Sequence, residues 1–314
     1  MFRPQSLDEI VGMETNKKIL YYDINGSLEL GQPIPSYIIS GPSGTGKTTL
    51  AMIIADMAKS QVCRYMGTEI KSIDTLRDIG EQCEDLDIIY IEEAHSLNKS
   101  IQTAMLDWIE NFLFPNGECA PKVTFILPTT NPGKLLKPLR ERCKQLHVSI
   151  YSVDEIKRIL INAASKINID LESDEAALDL LARCSRGIPR IAVSNRLDSL
   201  HKLITIDRVP YNMDTVKNML ETQGINEWGL ESSDLIYLET LYDKIRSGRR
   251  PVSKQNLCSS TGFDIDNIEE IIERYLLQIN AIRIDPRGRM ITNFGCEILN
   301  KTNPLVNLRS LTSE

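Results

Sequence analysis

Gly41-Pro-Ser-Gly-Thr-Gly-Lys-Thr48 is the stretch of the sequence that decides the fold. It has the spacing of a phosphate-binding loop, in which backbone N–H groups converge on phosphate oxygens and the helix that follows adds its dipole. The apolar run Tyr37–Ser40 precedes the loop and the helical pattern Thr48–Lys59 follows it, which is the context that the motif requires. The candidate nucleotide-binding residues here are Gly41, Gly44, Thr45, Gly46, Lys47, Thr48 and Thr49.

In such a loop the lysine and the hydroxyl residue have separate roles. Lys47 is expected to reach the β- and γ-phosphates and so to act in catalysis, and Thr48 is expected to hold Mg²⁺. The sequence therefore predicts ATP and Mg²⁺ as cofactors.

A second buried run, Ile88–Glu92, ends in two carboxylates. Ligands of parallel sheets bind at the carboxyl ends of the strands, so these acids should lie beside the loop. We expect Glu92 to help hold the metal and Glu93 to polarise the attacking water. ATP-driven motors with such a loop mostly have Asp at the position of Glu92. The longer side chain of Glu92 could shift the metal contact and slow hydrolysis, so a non-catalytic ATP-dependent scaffold is an alternative.

Two further candidate catalytic residues follow the run Val123–Pro128. Thr130, at the tip of that strand, could orient the water or sense the γ-phosphate, or it could simply cap a helix. Arg142, with Arg140 as the alternative, is expected to face the ATP of a neighbouring subunit and to stabilise the charge on the transferred phosphoryl group.

Three parts of the chain have different patterns. Residues 1–150 alternate buried strands with helices such as Ser100–Phe112, which indicates a parallel α/β sheet covered on both faces. Residues 151–225 have a helical pattern throughout and are predicted to form a small all-helical lid. Its first helix begins with a capping box, Ser152–Glu155. In this lid Arg190, after Pro189 at the first helical turn, could reach back to the γ-phosphate.

Residues 226–314 combine helices with two β-prone runs, Ala281–Ile284 and Met290–Thr292, and this favours a winged helix. Arg287 and Arg289 at the hairpin tip are candidate DNA contacts, although a polar turn is the alternative.

Composition restricts the class of protein. The chain has 314 residues, 42% of them hydrophobic, and no apolar run long enough to cross a bilayer, so we expect a cytoplasmic protein. Its net charge is −7, but residues 244–314 hold 11 Lys/Arg against 8 Asp/Glu, a net of +3, so phosphate contact is expected at that end. The seven cysteines include no Cys-x-x-Cys pair, which argues against a zinc site or a disulfide framework.

These motifs, in this order, resemble the RuvB family of AAA+ ATPases along nearly the whole chain. The opening Arg3–Gly12 is similar to the family segment near the adenine, which implies that Phe2 and Arg3 are nucleotide neighbours. The most discriminating similarities are Glu273–Gln278 and Asp285–Thr292 in the winged helix. The resemblance further implies that Glu110, Asn111 and Phe112 lie near a neighbouring nucleotide and that Tyr151 lies against the adenine.

The resemblance implies a hexameric ring around double-stranded DNA that drives branch migration at four-way Holliday junctions in recombination and repair. A RuvA tetramer would hold the junction, with RuvC as the resolving nuclease. Only Leu113–Lys122 fills the place of the family's RuvA-binding hairpin, so we expect that interaction to be weak or absent. Cys143 and the Thr-Thr-Asn segment are also similar to clamp-loader subunits, so a loader or remodeller acting on DNA is the competing hypothesis.

Overall fold

A five-stranded parallel sheet forms the centre of the first half of the chain. The computed structural model describes residues 3–248 and 251–302. Within them, the strands of this sheet lie in the order β2-β3-β4-β1-β5. They are β1 (Tyr37–Ser40), β2 (Val62–Met66), β3 (Ile88–Glu92), β4 (Thr124–Thr129) and β5 (Lys144–His147). Because β4 lies between β1 and β3, the segments that follow these three strands begin side by side.

Helices cover both faces of this sheet. Side chains of β1 alternate between two apolar clusters: Tyr37 and Ile39 belong to one, and Ile38 belongs to the other. The helices of this half are α1 (Glu14–Leu30), α2 (Lys47–Ala58), α3 (Ile73–Glu81), α4 (Lys99–Asn111), α5 (Lys137–Arg142) and α6 (Val153–Ala164). Residues of α1 and α2 pack in the first cluster, and residues of α3 and α4 pack in the second. The predicted α/β core is therefore confirmed.

The strands β1, β3 and β4 and the helices α2 and α4 were predicted to within one or two residues at each end. The edge strands β2 and β5 were not predicted. Three of the four residues of β5 are exposed, and no residue of β2 is fully buried, so neither strand reads as an apolar run.

The helical region after the sheet begins as the sequence predicts. Ser152 and Glu155 form a reciprocal capping box at the start of α6. The remaining helices of this region are α7 (Glu175–Arg183), the π-helical turn Ile191–Leu197 that continues into α8 (Asp198–Asp207), and α9 (Met213–Thr222).

The chain divides into two compact units. The first consists of the described part of Met1–Asp170 together with Gly187–Asp198, and the second of Leu171–Arg186 with the described part of Ser199–Glu314. These units cut across the helical region, so the domain boundaries at 150/151 and 225/226 stay predictions.

Arg186 connects residues 171–186 to the rest of the second unit. Its Nε donates to the carbonyl of Gly229 at 3.0 Å, and its Nη2 pairs with the fully buried carboxylate of Asp234. The guanidinium carbon also lies 4.5 Å from the ring centroid of Tyr275. This network explains why residues 171–186 belong to the unit that holds the C-terminal domain.

The C-terminal part of the second unit is a winged helix. Its elements are α10 (Ser232–Gly248), α11 (Lys254–Thr261), the π-helical turn Asn267–Glu273 continuing into α12 (Arg274–Gln278), β6 (Ile282–Asp285), β7 (Gly288–Ile291) and α13 (Asn293–Thr302). The two strands pair as an antiparallel hairpin, as predicted, and one apolar cluster joins the hairpin to the helices. The helix α13 was not predicted.

Arg289, predicted at the hairpin tip as a DNA contact, belongs instead to an internal ion pair. Its Nε and Nη2 donate to the two oxygens of Glu273 at 2.8 and 3.0 Å, and the hydroxyl of the buried Tyr237 donates to the same carboxylate at 2.7 Å. The side chains of Arg289 and Glu273 are 14% and 3% exposed. These hydrogen bonds to Glu273 raise the pKa of Arg289. Arg287, in contrast, is exposed.

We expect Arg289→Ala to destabilise the winged helix by about 3 kcal/mol, because it leaves the Glu273 carboxylate buried without its cation. Calorimetric unfolding of the full chain measures this as a lower Tm. Arg287→Ala, which removes an exposed arginine from the same turn, is the matched control and should leave Tm unchanged. An equal loss in the two variants would contradict the structural role of Arg289.

Among the described residues, no helix has both the length and the apolar character needed to span a membrane.

Candidate functional site

An open cavity of about 670 Å³ lies in the first unit, at the carboxyl ends of the central strands. It brings together the phosphate-binding loop, both strand-end acids, and residues from the chain start and the helical region. Of the predicted site residues, its lining contains Arg3, Gly44, Thr45, Gly46, Lys47, Thr48, Thr49, Glu92, Glu93, Tyr151 and Arg190. Gly41 begins the same loop directly after β1. Phe2 lies outside the described residues.

The loop conformation depends on glycine at two positions. Gly41 has φ +153°, and a Cβ there would lie 2.2 Å from the carbonyl oxygen of Val148. Gly44 has φ +80°, and a Cβ there would lie 2.8 Å from Cγ2 of Ile188 and 3.1 Å from Cβ of Arg190. Any larger residue would displace backbone or packed side chains, so the loop can keep this shape only with glycine.

Lys47 and Thr48 are held by short hydrogen bonds. The ammonium of Lys47 donates to the carbonyls of Gly41 and Pro42 at 2.7 and 2.9 Å. The hydroxyl of Thr48 accepts from the phenol of Tyr90 at 3.1 Å. Burial raises the pKa of Tyr90, so this phenol stays a neutral donor. Tyr90 thus fixes the rotamer of the predicted metal-binding hydroxyl.

Sequence reasoning missed Tyr90, although a signal existed. Tyr90 and Glu92 are two residues apart on β3, so their side chains share one face of the sheet. If the carboxylate of Glu92 faces the cavity, the phenol of Tyr90 must lie on the same side and near the start of α2.

Glu93, whose side chain lines the cavity, has a buried oxygen without a hydrogen-bond partner among the described residues. This atom is Oε2, and the Nδ1 of His95 lies 3.2 Å from it without hydrogen-bond geometry. The same Nδ1 shares a hydrogen bond of 3.1 Å with the hydroxyl of Thr129. The backbone at Glu93 is left-handed, with φ +51° and ψ +50°, an arrangement that costs free energy in a non-glycine residue. The carboxylate of Glu93 thus lies in the cavity lining next to that of Glu92 and close to the phosphate-binding loop.

Thr130, the predicted polar residue at the strand tip, lies one position beyond β4 and is half-buried. The cavity lining, within the described residues, contains Pro128 but not Thr130. It is the hydroxyl of Thr129 that joins the strand tip to His95, and it also accepts from the backbone N–H of Asn131 at 3.0 Å. The role of Thr130 stays a prediction.

Arg64 is a cavity residue that the sequence did not single out. It lies on the unpredicted strand β2, in register with Tyr90, and its guanidinium carbon is 5.8 Å from the centroid of that ring. Arg64 thus adds a positive charge to the cavity lining that also contains Glu92 and Glu93. Its place in the cavity follows from the strand register and not from a sequence motif.

Tyr151 and Arg190 both contact the loop directly. The phenol of Tyr151 donates to the carbonyl of Thr45 at 3.3 Å, and burial, with Glu155 adding to it, raises its pKa to about 12. The backbone N–H of Arg190 donates to the carbonyl of Gly44 at 3.2 Å, and its guanidinium reaches the hydroxyl of Ser43 at 3.5 Å. Arg190 therefore lies where it can report the state of the phosphate site.

A second cluster of predicted residues lies apart from the cavity lining. The Nε of Arg142 pairs with Oε2 of Glu110 at 2.7 Å, so the structure joins the predicted arginine finger to a predicted neighbour of the adjacent nucleotide. Asn111 is exposed at the end of α4, and Phe112 follows it with φ +54° as the helix cap. Arg140 is half-buried, and its Nε has no hydrogen-bond partner among the described residues.

The short segment Leu113–Lys122 folds back against the core. One antiparallel bridge joins Leu113 to Cys119, and Phe114 is 6% exposed in the apolar cluster beside Trp108. The indole of Trp108 donates to the carbonyl of Pro121 at 2.8 Å. This segment therefore forms a compact turn on the core of the first unit.

Comparisons with known proteins agree with this geometry. Residues 2–148 match the family "Holliday junction DNA helicase RuvB P-loop domain", and residues 227–300 match the "RuvB C-terminal winged helix domain". The chain is 33% identical to the Holliday junction branch migration complex subunit RuvB of Thermotoga maritima, with 92% of this chain and 89% of that protein covered. It is 32% identical to the subunit of the same name from Ehrlichia ruminantium, with 95% and 92% covered.

Solved structures give the same result. The Thermotoga maritima RuvB Holliday junction branch migration motor superposes with a TM-score of 0.84 at 31% identity, covering 95% of this chain and 98% of that one. The P-loop cavity, the winged helix and the extent of these similarities lead to one assignment. The chain belongs to the RuvB family.

Proposed function

We propose that this chain is an ATP-driven DNA translocase that moves the branch point of Holliday junctions in recombination and repair. The observation that carries the proposal is the cavity of about 670 Å³ that unites the phosphate-binding loop with Glu92, Glu93 and Arg190, in a chain whose second unit holds a winged helix. Relatives that carry the name Holliday junction branch migration complex subunit RuvB match nearly the whole chain. These similarities favour the translocase over a clamp loader.

ATP binding rests on the loop and its neighbours. Lys47 exchanges its hydrogen bonds to two loop carbonyls for phosphate oxygens, and the loop N–H groups bind the same phosphates. Tyr151 and Arg3 also line the cavity, and we propose that they contact the adenine, as the family resemblance implies. Phe2, which lies outside the described residues, stays a nucleotide contact on the family resemblance alone.

Glu93 is the general base of the reaction in this proposal. Its carboxylate accepts the proton of the attacking water. His95, whose Nδ1 lies 3.2 Å from Oε2 of Glu93, is positioned by its hydrogen bond to Thr129. Thr130 or Thr129, at the tip of β4, orients the water or senses the γ-phosphate. Arg190 couples the phosphate state to the helical region through its contacts with Gly44 and Ser43.

The donors present fit Mg²⁺, which prefers oxygen ligands and retains several waters. The hydroxyl of Thr48, oriented by Tyr90, and the carboxylate of Glu92 are the residues that would hold it. When bound, the ion would neutralise charge on the phosphates. The longer side chain of Glu92, in place of the more usual Asp, is compatible with contact through a metal-bound water.

Catalysis requires more than one copy of the chain. Arg142 and Glu110 form a surface pair outside the cavity lining, so they are available to the ATP of a neighbouring subunit. Contact in which one copy offers its cavity and the next offers its arginine is heterologous. Such contacts form a ring when the rotation between neighbours closes and a helical filament when it does not. We propose a hexameric ring around double-stranded DNA.

The winged helix supplies the DNA contact. Arg287 is exposed at the hairpin and is the arginine suited to touch the backbone, whereas Arg289 supports the domain from inside. Backbone contacts of this kind are independent of sequence and weaken with salt. Acting on DNA fits the cytoplasmic location that the sequence predicts.

Partner binding differs from the arrangement that the family resemblance implies. The segment Leu113–Lys122 is a compact turn against the core, with no projecting hairpin among its residues, all of which the structure describes. We therefore propose that the chain binds a standard RuvA weakly or not at all.

The experiment measures ATP hydrolysis and dissociation of a synthetic four-way junction in one reaction, with and without a RuvA-type protein, at low and moderate salt. We expect junction DNA to stimulate hydrolysis and the junction to dissociate even without the partner. Arg287→Ala should weaken DNA binding and reduce the slope of its salt dependence by about one. ATP binding with no hydrolysis would contradict the proposal in favour of a scaffold.

A further inference from the structure

Two cysteines that are distant in the sequence meet at the edge of the central sheet. Cys63 lies on the edge strand β2, and Cys83 follows the end of α3. Their sulfur atoms are 3.8 Å apart. A carboxylate completes the group, because one ligand atom each from Cys63, Cys83 and Asp87 all lie within 4.8 Å of one another.

We propose that Cys63, Cys83 and Asp87 form a binding site for a thiophilic divalent cation such as Zn²⁺, separate from the nucleotide cavity. Two thiolates and one carboxylate are a donor set that zinc accepts, and a water would take the fourth position. This goes beyond the motor activity, and its test does not depend on that activity.

The sulfur spacing agrees with tetrahedral coordination. With Zn–S bonds of about 2.3 Å and a tetrahedral angle, two coordinating sulfurs lie about 3.8 Å apart. A disulfide would instead require about 2.05 Å between the sulfurs, so the pair would have to move together by nearly half its present separation. The present positions of Cys63 and Cys83 thus suit a shared cation without movement of the sulfurs.

Asp87 distinguishes this group from a chance contact between two thiols. The backbone N–H of Glu84 donates to Oδ2 of Asp87 at 2.8 Å, which fixes the carboxylate beside Cys83. One of its carboxylate oxygens is the ligand atom that lies within 4.8 Å of both sulfurs. Cys83 itself is 9% exposed and packs in the apolar cluster that includes α3, whereas Cys63 is half-buried.

Sequence spacing could not reveal such a site. Zinc sites that are recognised from sequence have paired cysteines two to four residues apart, whereas Cys63 and Cys83 are 20 residues apart and come from a strand and a helix end. A cation here would connect the end of α3 to the edge strand β2. Since α3 otherwise contacts the core through one face, this link would stabilise the first unit.

The test uses the full chain, reduced with a phosphine and stripped of metal with a chelator, and titrated with Co²⁺ alone. We expect one equivalent of Co²⁺ to give a thiolate-to-metal charge-transfer band, and one equivalent of Zn²⁺ to remove it. The Mg²⁺ site has only oxygen ligands and cannot give this band. Saturating Zn²⁺ should also raise the Tm of the first unit by about 5 °C, since a ligand that binds only the folded state stabilises it.

Variants identify the ligands. Cys63→Ser and Cys83→Ser should each lower Zn²⁺ affinity by at least about tenfold, since even loss of a group behind a ligand costs about 10–100-fold. Cys119→Ser, which removes an exposed thiol elsewhere, is the control and should bind like the wild type. Asp87→Asn keeps both thiols and should weaken binding while the charge-transfer band remains.

Three outcomes would overturn the proposal. One is that the reduced wild-type chain gives no charge-transfer band, and another is that Cys63→Ser and Cys83→Ser both keep the band unchanged. The third is that oxidised protein loses two thiols by titration while the reduced protein takes up no Co²⁺, which would make Cys63 and Cys83 a redox pair. Because the first measurement uses the wild type, misfolding of a variant cannot decide the result.

Discussion

Replacing Arg142 by alanine is expected to lower the rate of ATP hydrolysis by about 10³–10⁵-fold while ATP still binds, because the residue acts on the ATP of the neighbouring subunit. Arg142 lies outside the cavity lining of its own chain, and Glu110 holds its Nε at 2.7 Å. Steady-state phosphate release measures the effect. Fluorescent nucleotide binding to the same variant shows whether the cavity is intact.

A mixing experiment separates action between subunits from a structural effect. The Arg142→Ala chain keeps its loop, and a Lys47→Ala chain keeps its arginine, so each is inactive alone. In a ring assembled at random from equal amounts, about a quarter of the contacts join an intact loop to an intact arginine, because each contact is heterologous. We expect about a quarter of the wild-type rate to return.

Two results would contradict the assignment of Arg142. Absence of any recovery on mixing would mean that Arg142 acts within its own chain or only supports the fold. The other result is that Arg140→Ala, and not Arg142→Ala, abolishes ATP hydrolysis alone and recovers it on mixing with Lys47→Ala. The catalytic role would then belong to Arg140. The half-buried Arg140, with its unpartnered Nε, makes this second comparison necessary. Arg158→Ala, an exposed arginine on α6, is the matched control.

The parts of the fold that the sequence predicts are those in which a single local pattern determines the structure. The loop Gly41–Thr48 fixes a strand before it and a helix after it, and β3 and β4 are continuous apolar runs. The edge strands β2 and β5 could not be predicted because their pairing with a neighbour, rather than their burial, makes them strands.

The same distinction applies to the site. Residues within a motif, such as Lys47 and Glu93, can be placed in the cavity lining from the sequence because the motif fixes their position. Tyr90, Arg64 and His95 act through partners on other strands, so their contacts follow from register and not from spacing. Arg289 shows a further limit: the sequence of a polar turn indicates an exposed side chain, whereas the side chain of Arg289 turns inward to Glu273.

Glu93→Gln is the second change with a large expected effect. It should lower the rate of ATP hydrolysis by about 10²–10⁴-fold, the usual contribution of a general base, and leave ATP binding intact. The amide has nearly the same shape as the carboxylate but cannot accept a proton from water. Single-turnover hydrolysis with excess enzyme measures the chemical step alone.

Glu92→Gln is the matched comparison, because it makes the same chemical change one residue away and on a group proposed to hold Mg²⁺. The hydrolysis rate of Glu92→Gln should fall less than that of Glu93→Gln and should partly recover at high Mg²⁺. No Mg²⁺ concentration should restore the hydrolysis rate of Glu93→Gln. Glu92→Asp, which moves the carboxylate back by one methylene, tests whether the longer side chain limits the rate. If Glu93→Gln loses less than about tenfold of the wild-type rate while Glu92→Gln loses about 10²-fold or more, the base is Glu92. The left-handed backbone at Glu93 would then serve only to turn the chain toward His95.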